Sequence, residues 1–298
     1  MFVSVIIPTY KRPKDLKIAL DSLCQQTILP NETIIVDQSP DEETKRLCSQ
    51  KKYIDLWMKY FFRKDLSSAR ARNQGIEELD KESDLVLFFD DDVKIDVNYI
   101  QEVIRFLRSH PQAVGGGGQE VNKGYKKDLW YFLFDNQGVK AFFSALNAQK
   151  KATHQIQKIT SMSWATLFVR KYILDAGYHF PEWMDRYSFE DLFFSFSVGR
   201  AYPGKFFYLP LAKIFHYESP VARVSYQQRL KQGLSHMFLF YRQFGFSPLR
   251  FYWRSIWYFL HFRGFFLLWE WIKSIYWLFL HRKKIMKCPQ ILNDFIFT

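Results

Sequence analysis

Cysteine is scarce in this sequence, which contains three cysteines among 298 residues. Cys24, Cys48 and Cys288 form no CxxC pair and no even-numbered framework, so the pattern is not that of a disulfide-stabilised secreted domain. The apolar segment from Phe2 to Ile7 has no basic leader and no small-residue cleavage site, and we expect a first β-strand there and not a signal peptide. These features favour a reduced, cytoplasmic location.

Phosphate-binding loops are also absent from the sequence. Neither GxxxxGK[ST] nor GxGxxG occurs, and the glycine run Gly115–Gly118 fits neither spacing. A phosphorylated ligand would therefore have to be held by a metal ion and by side chains.

Acidic residues are nearly absent from the last part of the chain. Residues 219–298 contain 12 Lys and Arg against two acidic residues, a net charge of +10, which leaves +2 for residues 1–218. Charged residues also interrupt the aromatic segment 251–281, so no uncharged run approaches the ~18 residues of a membrane span. We therefore predict a helical extension whose aromatic and basic side chains lie on an anionic membrane surface.

Two other interpretations of this extension are open. Its helices could pack on the first part of the chain and leave a solvated basic face, or its basic, aromatic surface could bind nucleic acid. No recognised nucleic-acid-binding motif accompanies the charge, and we expect no nucleic-acid partner.

Strand-like and helix-like segments alternate along the first part of the chain. Apolar, β-branched runs predict strands at 2–7, 32–37, 57–62 and 84–89, and helical spacing follows each run. Further on, we predict strands at 162–170 and 206–209, a helix at 188–200, and helical structure from 224 to about 281. The alternation predicts a parallel, helix-flanked sheet, whose ligands bind at the carboxyl ends of the strands.

Three successive aspartates follow the fourth predicted strand. Asp90, Asp91 and Asp92 would repel one another at the strand end unless a hard cation such as Mg²⁺ or Mn²⁺ compensates their charge. A solvated acidic turn is the alternative interpretation. Glu190 and Asp191 could likewise be ordinary acids at a helix start or include a general base, and His216 could be a core residue or a metal ligand.

Six segments occur in an order and spacing that resembles family 2 glycosyltransferases with the GT-A fold. They are VIIPTYKR at 5–12, IVD at 35–37, ARNQG at 71–75, FDDDV at 89–93, Glu190–Asp191 and His216. The resemblance implies an α/β fold with a mostly parallel central sheet flanked by helices and a Rossmann-like nucleotide-binding half. It implies a catalytic domain over residues 1–218, followed here by the helical, aromatic and basic extension 219–298.

The resemblance also implies a role for each matching residue. Asp191 is similar to the family's general base, and Glu190 lies beside it at the acceptor side. Asp92 is similar to the metal ligand of the family's DXD motif. His216 resembles a histidine that completes the metal site in some members. The residues that the resemblance places at the nucleotide-sugar donor are Pro8, Thr9, Tyr10, Arg12, Asp37, Arg72, Asp90 and Asp91.

The implied activity is inverting transfer of a sugar from a nucleotide-sugar donor, a UDP- or dTDP-sugar, to a hydroxyl of a glycan or lipid-linked acceptor. The expected setting is cell-envelope polysaccharide synthesis on the cytosolic face of the membrane. Family members that polymerise sugars processively carry a QxxRW signature. Residues 226–230 do not reproduce it, which favours an enzyme that adds a single sugar. The alternatives are a nucleotidyltransferase-like enzyme and a catalytically inactive membrane-associated scaffold.

Overall fold

The computed structural model of the chain describes residues 1–121, 155–162, 165–184, 190–217, 219–221, 225–249, 251–252, 255–256, 268–289 and 292. Its strands are β1 (Val3–Thr9), β2 (Glu32–Asp37), β3 (Met58–Phe62), β4 (Leu85–Phe89), β5 (Val93–Ile95), β6 (Gly115–Glu120), β7 (Gln157–Ile159), β8 (Thr166–Arg170) and β9 (Phe206–His216). Its helices are α1 (Pro13–Leu23), α2 (Glu43–Cys48), a 3₁₀ turn (Lys51–Leu56), α3 (Ser68–Glu77), α4 (Tyr99–Ser109), α5 (Lys171–Asp175), α6 (Glu190–Ala201), α7 (Tyr226–Gln243) and α8 (Leu268–Lys287).

The described strands form one mixed sheet with the order β3-β2-β1-β4-β8-β6-β9-β5, and β7 pairs with β9. β3, β2, β1 and β4 run parallel to one another, as the alternation of the sequence predicts. β8 pairs antiparallel with β4 and with β6. The carboxyl ends of β1, β2 and β4 therefore lie at one edge of the sheet.

Two hydrophobic cores lie on the two faces of this sheet. Successive residues of β1 and β4 point to opposite cores: Val5 and Leu87 face one core, while Ile6 and Val86 face the other. The first core is completed by apolar residues of α1 and α4, and the second by those of α3 and α6. Because both faces are covered, these strands read as continuous apolar runs and were predictable from sequence.

Strand β6 was not predicted, because four of its residues are glycines with low intrinsic strand propensity. The packing explains their presence. A Cβ on Gly116 would lie 1.9 Å from the carbonyl oxygen of Phe207, and one on Gly118 would lie 2.1 Å from that of Ala212. Only glycine lets the neighbouring backbone approach this closely.

Strand β9 is longer than the predicted strand at 206–209. It continues through Pro210 to His216, and its pairing with β6 shifts register between Gly118 and Gln119. Proline lacks a backbone N–H and is tolerated in a sheet at such an irregularity. The predicted segments 162–170 and 188–200 correspond to β8 and α6, with 163–164 and 188–189 lying outside the described residues.

The chain divides into two compact units. The first comprises Met1–Pro181 and Glu190–Val221, and the second comprises Glu182–Phe189 and Ala222–Thr298. Within the second unit, α7 and α8 pack against each other, and α7 starts with a capping box formed by Ser225 and Gln228. Most of the predicted helical segment between them lies outside the described residues. Among the residues described, no helix combines the length and the apolar content needed to cross a bilayer.

We predict that Gly116→Ala lowers the free energy of unfolding by at least about 2 kcal/mol, because the new methyl group has to displace the backbone of β9. Chemical denaturation monitored by circular dichroism measures the change. Gly177→Asn is the control, since a Cβ at Gly177 meets no atom within 4 Å and Asn tolerates its φ of +91°. Equal stability of the two variants would contradict the packing argument.

Candidate active site and metal centre

The ends of β1 and β2 lie side by side and carry the first predicted donor residues. Thr9 is the direct strand partner of Asp37. Asp37 is fully buried, and its two carboxylate oxygens accept hydrogen bonds from the Ser39 N–H and the Tyr60 hydroxyl, each at 2.9 Å. These bonds fix the orientation of the carboxylate at the strand end. Its contact with a nucleoside base stays a prediction.

The chain bends sharply just after β1. Pro8 and Tyr10 are half-buried, and Lys11 adopts a left-handed conformation with φ of +55°. The Lys11 N–H donates to the Ser39 hydroxyl at 2.7 Å, which ties this bend to the segment after β2. Two predicted donor residues, Pro8 and Tyr10, thus stand at the same sheet edge as Asp37.

The three aspartates after β4 have different environments. Asp91 is buried and accepts hydrogen bonds from the Thr9 hydroxyl at 2.7 Å and from Arg12 Nη1 at 3.0 Å. Burial raises the pKa of Asp91 to about 7, although the Arg12 charge opposes the shift. Asp90, by contrast, keeps a third of its side chain exposed. Asp91 therefore anchors the turn, and Asp90 remains accessible to a ligand.

Asp92 is joined through His216 to a second buried carboxylate. His216 Nε2 lies 2.8 Å from Asp92 Oδ1, and His216 Nδ1 lies 3.1 Å from Glu120 Oε1. Burial lowers the pKa of His216, but the hydrogen bonds to Asp92 and Glu120 outweigh it and raise the pKa to about 10. Burial raises the pKa of Asp92, but the hydrogen bond and charge of His216 more than offset this and lower it. His216 is therefore an imidazolium that lies between the carboxylates of Asp92 and Glu120.

The register of β5 against β9 explains why His216 meets Asp92. Val93, the first residue of β5, is the antiparallel partner of His216, so Asp92 stands next to it. The Tyr217 N–H donates to the carbonyl oxygen of Asp92 at 3.0 Å and extends this ladder by one bond. Two distant parts of the sequence are thereby held at one point.

Arg12 and the segment after β9 supply further partners for Asp92. Asp92 Oδ2 accepts hydrogen bonds from the Ser219 N–H at 2.9 Å and from Arg12 Nη1 at 3.4 Å. Arg12 Nη2 also donates to the carbonyl oxygen of Val221 at 2.8 Å. Arg12 was predicted to lie at the donor, and the structure places it on the acidic turn itself.

Asp90, Asp92 and His216 can hold a divalent metal ion. One ligand atom of each lies within 4.8 Å of the others, and carboxylate oxygen and imidazole nitrogen are suitable donors. His216 must release its Nε2 proton to become a ligand. The sequence predicted Asp92 and His216 as metal ligands, and in the structure Asp90 lies close enough to be a third ligand.

Arg72 connects the acidic turn to the start of α6. Its Nη2 lies 2.7 Å from Asp90 Oδ1 and its Nη1 lies 2.5 Å from Glu190 Oε1, while the guanidinium stands 5.5 Å from the centre of the Phe180 ring. The Arg72 and Glu190 side chains are both buried. Arg72 was predicted to lie near the nucleotide, and here it orients two carboxylates.

Asp191 lies beside Glu190 in the first turn of α6. Its Oδ1 accepts from the Leu192 N–H at 2.7 Å, and the residue keeps partial exposure. Desolvation, together with the negative charge of Glu190, raises the pKa of Asp191 to about 8. A carboxylate of this basicity can accept a proton from a hydroxyl group near neutral pH.

Glu120 was missed by the sequence reasoning. It ends β6, a strand that the glycine run concealed, and its fully buried carboxylate binds Nδ1 of His216. A buried glutamate next to a glycine run has no recognisable spacing to His216, so only the sheet topology reveals the pair. The Ser219 N–H was missed for a simpler reason, since a backbone donor leaves no sequence signal.

The sequence profile of Glycosyl transferase family 2 matches residues 4–176. This segment contains the acidic turn, Arg72 and the strand ends of β1 and β2. No curated protein sequence matches the chain.

Solved structures with a similar fold include a mannosyltransferase and S. aureus TarS. PcManGT, a mannosyltransferase from Pyrobaculum calidifontis in complex with GDP-Man and Mn²⁺, has a TM-score of 0.59 and 15% identity, over 94% of this chain and 75% of that one. S. aureus TarS 1-349 in complex with UDP-GlcNAc has a TM-score of 0.53 and 19% identity, over 92% of this chain and 79% of that one. The longer S. aureus TarS structure has a TM-score of 0.54 and 21% identity over 80% of this chain. The chain spans about two fifths, 39%, of that longer TarS chain.

We predict that Glu120→Gln weakens Mn²⁺ binding by about 10- to 100-fold, because a neutral amide holds the Nδ1 proton, which directs Nε2 toward the metal, less strongly than a carboxylate does. Titration calorimetry on the nucleotide-free protein measures the affinity. Glu77→Gln, an exposed change on α3, is the matched control. Unchanged Mn²⁺ affinity in a Glu120→Gln protein that melts like the parent would contradict a positioning role for Glu120.

Proposed function

This chain belongs to glycosyl transferase family 2, and from that premise we propose that it is a nucleotide-sugar glycosyltransferase with an inverting, metal-assisted mechanism. The donor we propose is a UDP- or dTDP-sugar, and the acceptor a hydroxyl of a glycan or lipid-linked molecule. The observation that carries the proposal is that Arg72 joins Asp90 of the metal-ligand group to Glu190, whose neighbour in sequence is the basic carboxylate Asp191.

Asp90, Asp92 and His216 are the residues that we propose for the metal, which would be Mg²⁺ or Mn²⁺. Such an ion, when bound, offsets the negative charge that develops on the departing nucleotide diphosphate. The supporting features are the absence of a glycine-rich phosphate loop and the concentration of hard donors at the ends of β4 and β9.

Pro8, Thr9, Tyr10 and Asp37 are the residues that we propose for the nucleoside, at the ends of β1 and β2. Arg12 and Asp91 contribute indirectly, because their ion pair and the Thr9 hydroxyl hold the acidic turn in place. Ligands of parallel α/β sheets bind at such strand ends.

Asp191 is the residue that we propose as general base. A bond forms between the acceptor oxygen and the anomeric carbon as the bond to the diphosphate breaks, and Asp191 takes the hydroxyl proton. Glu190 is bound to Arg72 and so is held away from this role. Its proposed part is to fix the start of α6 and thereby the position of Asp191.

Residues 1–218 are the proposed catalytic domain and residues 219–298 the proposed membrane-associating extension. The support for membrane association is the charge of +10 on the extension together with 22 aromatic residues. A cytosolic membrane surface is where lipid-linked acceptors of cell-envelope polysaccharides meet nucleotide sugars, and this is the setting that we propose.

We predict that nucleotide-sugar binding requires Mg²⁺ or Mn²⁺ and that Asp92→Asn weakens it by at least about 10-fold, because the amide removes one charged ligand of the metal. Calorimetry with a panel of UDP-, dTDP- and GDP-sugars, with metal and with EDTA, measures the effect and identifies the donor. Asp55→Asn, an exposed change, serves as the control. Undiminished donor affinity in EDTA would rule out the metal-assisted mechanism.

We predict that Asp191→Asn lowers kcat by about 10²–10⁴-fold while donor affinity changes little, because the change removes basicity and preserves shape. The raised pKa adds a second expectation. Asp191 acts in its charged form, so kcat/KM of the parent should increase with pH up to about 8 and then level off, and the variant should lose this rise.

Glu190→Gln is the comparison variant for Asp191. Its kcat should fall less, and its melting temperature more, since the change removes the charge that pairs with buried Arg72. Initial transfer rates, donor affinity and thermal melts of both variants are the measurements. A fully active Asp191→Asn beside an inactive Glu190→Gln would assign the base to Glu190.

A further inference from the structure

Helix α8 has one fully buried face. Ser274, Leu278 and Ile285 are fully buried, and α8 packs against α7 within the second unit. These three residues lie on one side of the helix, at separations of four and seven residues.

The opposite side of α8 is also apolar, but it is exposed. Five large side chains follow one another there at helical spacing, and we name them the exposed stripe. They are Trp269, Ile272, Tyr276, Phe279 and Leu280, with exposed fractions of 64%, 42%, 63%, 47% and 53%. A contiguous apolar surface of this kind marks an interaction site.

Basic residues continue the same side of the helix in its last two turns. Lys283, Lys284 and Lys287 are exposed and follow the stripe at helical spacing, and we name them the lysine cluster. Glu270 is the one acidic residue in the sequence of α8, and it already pairs with Lys273 at 3.1 Å. The exposed side is therefore apolar and aromatic in its first turns and positively charged in its last.

We propose that the exposed stripe and the lysine cluster together form the surface by which this chain binds an anionic membrane leaflet. The inference rests on, and localises, the membrane association proposed above. The stripe enters the boundary between headgroups and acyl chains, and the lysines contact anionic headgroups, with α8 lying along the membrane plane.

The residue types on the exposed side match this environment. Trp269 and Tyr276 carry a polar N–H or hydroxyl on an apolar ring, the combination that favours the headgroup level. The Lys273 ammonium lies 5.4 Å from the centre of the Trp269 ring, and the Arg282 guanidinium lies 4.3 Å from that of Phe279. Long basic side chains next to interfacial aromatics can extend to the phosphates while their stems cover apolar surface.

A second copy of this chain fits the surface less well than lipid does. In a parallel pairing of two α8 helices the lysine clusters face each other, and in an antiparallel pairing each cluster lies on the partner's apolar stripe. Neither arrangement brings an unpaired carboxylate of α8 to the lysines, because Glu270 is engaged with Lys273. An anionic leaflet supplies both an apolar layer and negative charge.

The test is co-sedimentation of the full chain with vesicles of phosphatidylcholine alone or of equimolar phosphatidylcholine and phosphatidylglycerol, without metal or nucleotide sugar. A stripe variant combines Ile272→Ser, Tyr276→Ser and Phe279→Ser. A charge variant combines Lys283→Gln, Lys284→Gln and Lys287→Gln. Ile18→Ser, Ile54→Ser and Leu211→Ser, changes of similarly exposed apolar residues in the first unit, form the matched control.

We expect the parent and the control variant to bind the anionic vesicles equally. The stripe variant should bind at least about 10-fold more weakly, because it lacks three apolar side chains at the boundary. The charge variant should bind about 100-fold more weakly to anionic vesicles, which corresponds to about 1 kcal/mol per lysine at 1.4 kcal/mol per tenfold change. Circular dichroism and thermal melts check that both variants fold as the parent does.

Two results would overturn the inference in different ways. If the parent binds and the folded stripe and charge variants bind equally well, the surface lies elsewhere, and membrane association itself stands. If the parent binds neither vesicle, and light scattering shows a dimer that the stripe variant dissociates, a second copy occupies the stripe. Donor binding is measured separately, so neither result bears on glycosyl transfer.

Discussion

The Arg72 guanidinium is the group on which the arrangement of the site depends. It is buried between Asp90, at the end of β4, and Glu190, at the start of α6, and so it connects two segments distant in sequence. Removing one partner from a buried ion pair costs about 3–5 kcal/mol, because the remaining charge has no water around it. The proposed base, Asp191, adjoins Glu190, so the same interaction sets its distance from the acidic turn.

The acidic turn illustrates how one short segment combines support and chemistry. Asp91 points inward, where Arg12 compensates its charge and the Thr9 hydroxyl donates a hydrogen bond to it, and it fixes the backbone of the turn. Asp90 and Asp92 approach His216 on the other side. A run of acids at a strand end is therefore not equivalent to a metal site with three aspartate ligands. Each of the three aspartates has its own positively charged partner, and these partners hold the carboxylates in place.

The sequence predicted the parts of the fold that depend on local patterns. β1, β2 and β4 are apolar runs buried on both faces, and these runs predict that Asp37 and Asp92 stand at or just after strand ends. Glu120 was not predictable, since its strand consists largely of glycines required by the approach of Phe207 and Ala212. Arg72 was assigned to the donor because the motif near it suggests that role, whereas its two ion pairs are long-range contacts that sequence spacing does not encode.

The meeting of His216 with Asp92 depends on strand register more than on either residue. β5 has three residues, and its pairing sets Val93 opposite His216. A slip of one residue would turn His216 to the other face of the sheet and away from the aspartates. The register shift between β6 and β9 at Gly118 and Gln119 lies on the same strand, so the irregularity around Pro210 helps to set where His216 falls. A glycine-rich strand and a proline-containing bulge, both poor strand formers, are thus the elements that align the imidazole with its carboxylates.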